Sequence, residues 1–322
     1  IISGGIAERA KFWPQLIANQ FGLNGAAQCN FYTFTGSTFA ANSTAGCTNY
    51  AIGGGRVRVK DADGGNANPL TVGTQMATRA ASGNYDAGDL VMIDGGGNDA
   101  ADLATAFLEA AADPTNAGGK GTAYRNFLLQ QLSQTTRDQL LSQDPTGVSA
   151  AGAYMQALAN TFYDDVTNKV LAKNAQHVGI LNIPDITITP KFQGVLATMG
   201  TTQAAQTQAL IRSWISAFNT QLKSRIGTDN RVALVDFYSD FQDEVANPAN
   251  YGLSNVTSPV CTVTMGALGK FPCLSTALDA AAPAGKSAGW WKSYAFSDDF
   301  HPTPYGHQLL AASVSRALAR AG

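Results

Sequence analysis

The chain has 322 residues, of which 45% are hydrophobic and only 14% charged, and 21 Lys plus Arg against 23 Asp plus Glu leave a net charge of −2. That much apolar material can bury a large core, which excludes global disorder. The missing basic excess argues against a nucleic-acid partner. No apolar run approaches the ~20 residues that a membrane-spanning helix needs.

In chain order, Lys11 to Phe21 carries Trp13, Leu16, Ile17 and Phe21 at helical spacing. Residues 25–48 read as polar loop, and Thr48 to Ile52 as a short strand that ends in Gly53-Gly54-Gly55. A glycine-rich stretch follows to about residue 75. Leu90 to Ile93 is a buried-type strand ending at Gly95-Gly96-Gly97-Asn98-Asp99, and Ala101 to Ala111 is helical. Residues 123–142 place Tyr124, Phe127, Leu128 and Leu132 on one helix face. Residues 148–173 do the same with Met155, Leu158, Phe162, Val166 and Val170. Val178 to Ile183 is a third strand, stopped by Pro184. Residues 202–226 form a long helix with Leu210, Trp214, Phe218 and Leu222 inward, and Gly227 as its cap. Arg231 to Phe237 is a fourth strand. The last helix runs from Pro304 to about Arg320, with Thr303 as N-cap.

Strands alternating with long helical crossovers imply a mainly parallel sheet covered on both faces. In such sheets the ligand site lies beyond the carboxyl ends of the strands. The Gly-rich strand ends and the loop before the last helix are expected to open on that edge.

The four cysteines fall into two close pairs, Cys29 with Cys47 and Cys261 with Cys273, neither at metal or redox spacing. Two local disulfides are expected, each worth about 3 kcal/mol, against the alternative of four free thiols in a reducing compartment. Disulfides and low charge favour export. Ile1-Ile2-Ser3-Gly4-Gly5 has no signal-peptide character, so any such peptide is expected to have been removed.

Three histidines occur. His177 opens a strand and reads as a partly buried structural residue, and His307 as surface or support. His301 sits in Ser297-Asp298-Asp299-Phe300-His301-Pro302-Thr303, just before a helix N-terminus. In a tight turn Asp298, three residues upstream, can reach the imidazole Nδ1, fix its tautomer and stabilise the imidazolium. Asp299 is the neighbouring alternative but points away from that nitrogen. Asn98, after three glycines at a strand end, can offer its amide to a developing oxyanion or simply form a left-handed turn. A backbone N–H near Gly54 is a second possible donor. Trp290-Trp291 and Tyr294 to Phe296 could wall an acyl pocket, with loop packing the plainer reading. Asp94, Asp99 and Asp298 show no convincing metal-ligand spacing, and no cofactor is implied.

Taken together, Asn49-Tyr50-Ala51-Ile52-Gly53-Gly54, Gly97-Asn98-Asp99 and Asp298-Asp299-Phe300-His301-Pro302 resemble three blocks of the SGNH (GDSL-type) hydrolase family. Trp13-Pro14-Gln15-Leu16-Ile17 and Leu181-Asn182-Ile183-Pro184-Asp185 are similar to further family segments. The resemblance implies a flavodoxin-like three-layer α/β/α fold over residues 1–322 as one domain, with helical insertions around 101–173 and 202–226. It implies Gly54 N–H and the Asn98 amide as oxyanion donors, and Asp298 and His301 as two members of a Ser-His-Asp triad. The long separation of Asn98 from His301 fits the larger secreted esterases and lipases, autotransporter passenger domains included.

The family's first block, Gly-Asp-Ser-Leu after a first strand, has no counterpart here. Ser3 lacks the Gly-Asp and the strand, and Ser37 lies after the helix that should follow the nucleophile. The strand and its serine are therefore expected on a separate or preceding segment. Two functions follow as expectations. One is a secreted serine esterase acting on a small-molecule or lipid ester. The other is a domain without a nucleophile that binds glycan or lipid.

Overall fold

The computed structural model describes residues 11–23, 28–59, 64–261 and 273–322. In chain order the elements are α1 (Trp13–Gln20), β1 (Tyr32–Phe34), β2 (Phe39–Ala41), α2 (Val72–Ala81), β3 (Leu90–Ile93), α3 (Gly97–Ala111), α4 (Lys120–Leu128), α5 (Gln134–Gln143), α6 (Val148–Lys169) and β4 (His177–Leu181). There follow α7 (Pro190–Leu196), α8 (Thr201–Ile226), β5 (Val232–Val235), α9 (Phe237–Ala246), β6 (Asn255–Pro259), α10 (Ser275–Ala280), β7 (Tyr294–Phe296) and α11 (Pro304–Ala321).

The three apolar runs β3, β4 and β5 pair side by side and parallel, with Ile93 opposite Ile180 and Ile180 opposite Leu234. Parallel neighbours need long crossovers, supplied here by α3–α6 and by α7–α8. Alternation along each strand sends side chains to opposite faces. Ile93, Val178, Ile180 and Val232 join the larger core with Leu158 and Phe162 of α6 and Phe218 and Leu222 of α8. Leu181 and Val235, with Leu90 and Met92 beside them, face a smaller core of Trp13 and Ile17 from α1 and Leu310 and Val314 from α11. Helices on both faces of a parallel sheet make the expected three-layer α/β/α arrangement. On its other side β3 has no strand partner among the described residues.

Several elements differ from the sequence expectation. Thr48 to Ile52 is not a strand. Asn49 makes one isolated bridge to Asn30, and its side chain accepts the Ala51 N–H at 3.1 Å, a local bond that competes with a sheet ladder. The supposed polar loop 25–48 instead holds an antiparallel hairpin, β1 with β2, where Phe34 faces Phe39 across the strands. The helix expected over 123–142 is two, α4 and α5, because Ser133 stops one turn and caps the next by accepting the Thr136 N–H. The glycine-rich stretch is shorter than expected, since α2 begins at Val72. His177 is exposed, not partly buried.

Both expected disulfides are formed, with Cα–Cα separations of 4.8 Å for Cys29–Cys47 and 5.8 Å for Cys261–Cys273. Trp291 is buried against the second one, and Trp290 and Trp291 donate their indole N–H groups to Leu278 and Asp279. The tandem tryptophans thus follow the loop-packing reading. Among the described residues no helix is long and apolar enough to cross a membrane.

Candidate active site

The loop between β7 and α11 is pinned at both ends. The Ser297 N–H donates to the His301 carbonyl (2.8 Å), and the Thr303 N–H donates to the Ala295 carbonyl (2.9 Å). Thr303 also caps α11 by accepting the Gly306 N–H at 3.1 Å, and Pro304 takes the first helical position, where its missing N–H costs nothing.

Inside this loop Asp298 accepts three hydrogen bonds. Its Oδ1 takes the N–H groups of Phe300 (2.8 Å) and His301 (2.7 Å), and its Oδ2 lies 2.9 Å from His301 Nδ1. The three-residue spacing therefore lets the carboxylate reach Nδ1. Asp298 is buried, yet the His301 side chain is 61% exposed. Burial would raise the Asp298 pKa, but the His301 ring, the two backbone N–H groups and the imidazolium charge outweigh it and hold the carboxyl at about 2. In return, the hydrogen bond to Asp298 raises the His301 pKa above its ordinary 6.5, reinforced by the charges of Asp298 and Asp299 and opposed by burial and Lys191. With Nδ1 held by a carboxylate, the other ring nitrogen is the one left to accept a proton. Among the described residues the ring hydrogen bonds of His301 run through Nδ1.

The second half of the site is a turn held by a helix. Ile52 to Gly55 closes on a 3.0 Å bond from the Gly55 N–H to the Ile52 carbonyl, with Gly54 at φ +81°. That is the third position of a type II turn, which glycine fills without strain. The Gly54 N–H takes no part in the turn's own bond, while the Gly54 carbonyl accepts from Arg56 Nη1 at 2.7 Å. The first two turns of α3 anchor this segment through three side chains. Asn98 Nδ2 donates to the Gly55 carbonyl (2.9 Å), Asp99 accepts the Val57 and Arg58 N–H groups (2.9 Å each), and Asp102 pairs with Arg56 at 2.6 Å. One N–H of the Asn98 amide is thereby used, and the other has no partner among the described residues. Burial pushes the Asp99 pKa up to about 6 despite its two backbone donors, with Asp102 adding to the rise and Arg56 opposing it.

Gly96 sets the entry to α3. It sits at φ +97°, and a Cβ there would come within 2.7 Å of Ile183. The entry to α3, just after β3, thus packs against the segment that leaves β4.

That segment links the two halves. Asp185, fully buried, accepts from Arg212 Nε (2.7 Å), Gln242 Nε2 (2.8 Å) and the Thr187 N–H (3.1 Å). It leads through Thr189 into α7, where the Lys191 N–H donates to the Asp299 carbonyl at 2.7 Å and Phe192 meets the Phe300 ring. The Asp298–His301 loop and the Asn98 turn are thus each fixed to the carboxyl edge of the sheet.

The remaining sequence candidates lie elsewhere. Ser3 lies outside the described residues. Ser37 is exposed in the β1–β2 turn. Among the described residues the buried Nδ1 of His307 has no hydrogen-bond partner; the ring packs edge-on against Phe12, and burial pushes its pKa down to about 4. Asp94 is exposed, and among the described residues no three His, Cys, Asp or Glu side chains are grouped to hold a metal ion. A cavity of about 550 Å³ lined by Arg58, Glu109, Lys120 and Phe127 includes none of His301, Asp298, Asn98 or Gly54. Sequence reading missed Asp102, Arg56 and the Asp185–Arg212 pair; only the spacing of Asn98 and Asp102, one helical turn apart, hinted at a shared face.

A family model described as GDSL-like lipase/acylhydrolase matches residues 5–314 of the chain. A search of curated proteins returned no match.

Proposed function

The chain belongs to the GDSL-like lipase/acylhydrolase family, and from that premise we propose that it is an extracytoplasmic carboxylic ester hydrolase whose general base is His301. Family membership supports acyl-hydrolase chemistry. The finer reading rests on one observation above all: a buried Asp298 carboxylate 2.9 Å from Nδ1 of an exposed imidazole. The two disulfides support an oxidising compartment.

In this reading a serine Oγ attacks the acyl carbonyl carbon, and its proton passes to His301 Nε2. Asp298 holds the tautomer and stabilises the imidazolium. The Gly54 N–H and the second Asn98 N–H hold the oxyanion. Collapse of the tetrahedral intermediate breaks the ester bond, and the leaving alkoxide takes the proton from His301. Water then repeats the sequence on the acyl-enzyme. The serine is assigned to a strand-bearing segment, separate or outside the described residues, that would pair with the side of β3 left without a strand partner among them. The whole is read as one hydrolase domain with helical insertions around 101–173 and 202–226.

The test is turnover of a soluble p-nitrophenyl ester by the intact protein, with parallel labelling by a fluorophosphonate. Turnover and labelling of one serine are expected. Neither occurring, with lipid or glycan still bound, would replace the enzyme by a binding domain.

A further inference from the structure

From Phe12 to Gly55 the sequence contains no Asp, Glu, Lys, Arg or His. Among the described residues the four most exposed large apolar side chains all lie in this stretch: Leu23 at 65%, Phe21 and Phe34 at 62%, and Phe12 at 58%. Scattered exposed apolar residues are ordinary, but their concentration on one uncharged segment calls for a reason.

The β1–β2 hairpin is the organised part of that stretch. Cys29–Cys47 staples its base, and Phe34 and Phe39 pair near its tip with ring centroids 5.3 Å apart. Thr33, Thr35, Ser37 and Thr38 fill the rest with small neutral polar groups. Tyr32 Oη donates to Thr78 of α2 at 2.7 Å, which props the hairpin on the body of the protein. The Gln28 side chain donates to Asn19 (3.0 Å) and to the Leu23 carbonyl, tying the hairpin base to the end of α1 where Phe21 and Leu23 are exposed. On the other side the Phe31 ring stacks on Tyr50 at 4.6 Å, and the Phe31 N–H donates to the Asn49 carbonyl at 2.7 Å. Two residues past Tyr50 the Ile52–Gly55 turn begins.

We propose that this hairpin, led by Phe34 and Phe39, docks the protein on the uncharged surface of a zwitterionic bilayer and holds the Gly54 turn at that surface. Aromatic rings with small polar neighbours suit the boundary between headgroups and acyl chains. Strands of three residues rise about 10 Å, comparable to the 5–10 Å depth at which interfacial segments sit. A hairpin without charge meets no desolvation cost from ions on entry. It also offers no cation to anionic headgroups, so the surface it fits is neutral and its attachment is insensitive to salt. The reaction at that surface rests on the function proposed above; the docking itself does not.

The experiment is co-flotation of the intact protein with phosphatidylcholine vesicles at 0.05 M and 0.5 M salt, for wild type, Phe34→Ser and Phe34→Asp/Phe39→Ser. Wild type is expected to float with vesicles, with less than a twofold change between the two salts. Phe34→Ser should reduce the bound fraction severalfold and the double variant at least tenfold, while far-UV circular dichroism and turnover of a soluble short-chain ester stay unchanged. Absent wild-type flotation, equal binding by the folded variants, or binding abolished by salt would overturn the proposal. A mass that halves on gel filtration in the variants, with no vesicle binding by wild type, would make the hairpin a contact between two copies instead. Vesicle binding without ester turnover would leave docking intact and sink the esterase reading; turnover with no vesicle binding does the reverse.

Discussion

The two halves of the candidate site are built in opposite ways. The Asp298–His301 half is local: all of the described hydrogen bonds of its carboxylate close within three residues of chain. The Gly54–Asn98 half is assembled over distance, by bonds from Asn98, Asp99 and Asp102 to partners 41 to 46 residues away. The local half combines a buried carboxylate with an exposed ring and so tunes a proton acceptor. The distant half presents backbone and amide donors on a turn clamped by a helix. This suits the proposed roles, since a base has to exchange protons with reactants and solvent, whereas oxyanion donors act best when they need no reorganisation.

The proposed roles can be broken by substitution in the intact protein, and the effects should fall in a definite order. His301→Ala should lower kcat/KM for a p-nitrophenyl ester by about a thousandfold or more, the range for losing a triad base. An unchanged rate would remove His301 from the mechanism. Asp298→Asn should cause a loss of similar order, with a signature the first variant lacks. Asp298 raises the His301 pKa, and the base must be neutral, so the wild-type rate should fall as pH drops through a value above 6.5. Without the carboxylate that acid limb should move to lower pH. A limb that stays in place, measured as kcat/KM against pH, would show that the pair does not govern the base.

On the distant half, Asn98→Ala should cost about a hundredfold to a thousandfold in kcat, with KM little changed. Asp99→Asn sharpens the comparison through stability. Its folded-state pKa of about 6 lies above the ordinary 3.8, so between those values the folded chain holds a proton that the unfolded chain has lost. This group's contribution therefore weakens as pH rises from about 4 to 6, by on the order of 2 kcal/mol, and the variant should lose that slope in urea unfolding at pH 4.5 and 7. Asp102→Asn, which loosens a partly exposed ion pair, should cost about 1 kcal/mol or less and reduce activity less than tenfold. A larger loss than Asn98→Ala would mean that Arg56 does more than hold the turn.

The same division decides what the sequence made legible. The Asp298–His301 contact needs only a tight turn before a helix, so its spacing announced it. The strands β3 and β4 showed as apolar runs stopped by Gly95 and Pro184, β5 as a run read on to Phe237 although Asp236 ends it by capping α9, and both disulfides as close pairs. Asp185 with Arg212, 27 residues apart, and Asp102 with Arg56 are long-range pairs with no periodicity to betray them. The hairpin was hidden because its Thr, Ser and Ala residues resemble loop, and its strands are too short for an alternation to register. Thr48 to Ile52 failed the other way: an apolar-looking run in which Asn49 bonds its own backbone.

The central claim is that both halves act on one acyl centre. Its most direct test is a crystal structure of the intact protein after reaction with a p-nitrophenyl alkylphosphonate. The account predicts a phosphonyl oxygen about 3 Å from both Gly54 N and Asn98 Nδ2, with His301 Nε2 facing the ester oxygen of the modified serine. A phosphonate bound with its oxygen turned away from those donors, or attached out of reach of His301, would contradict it.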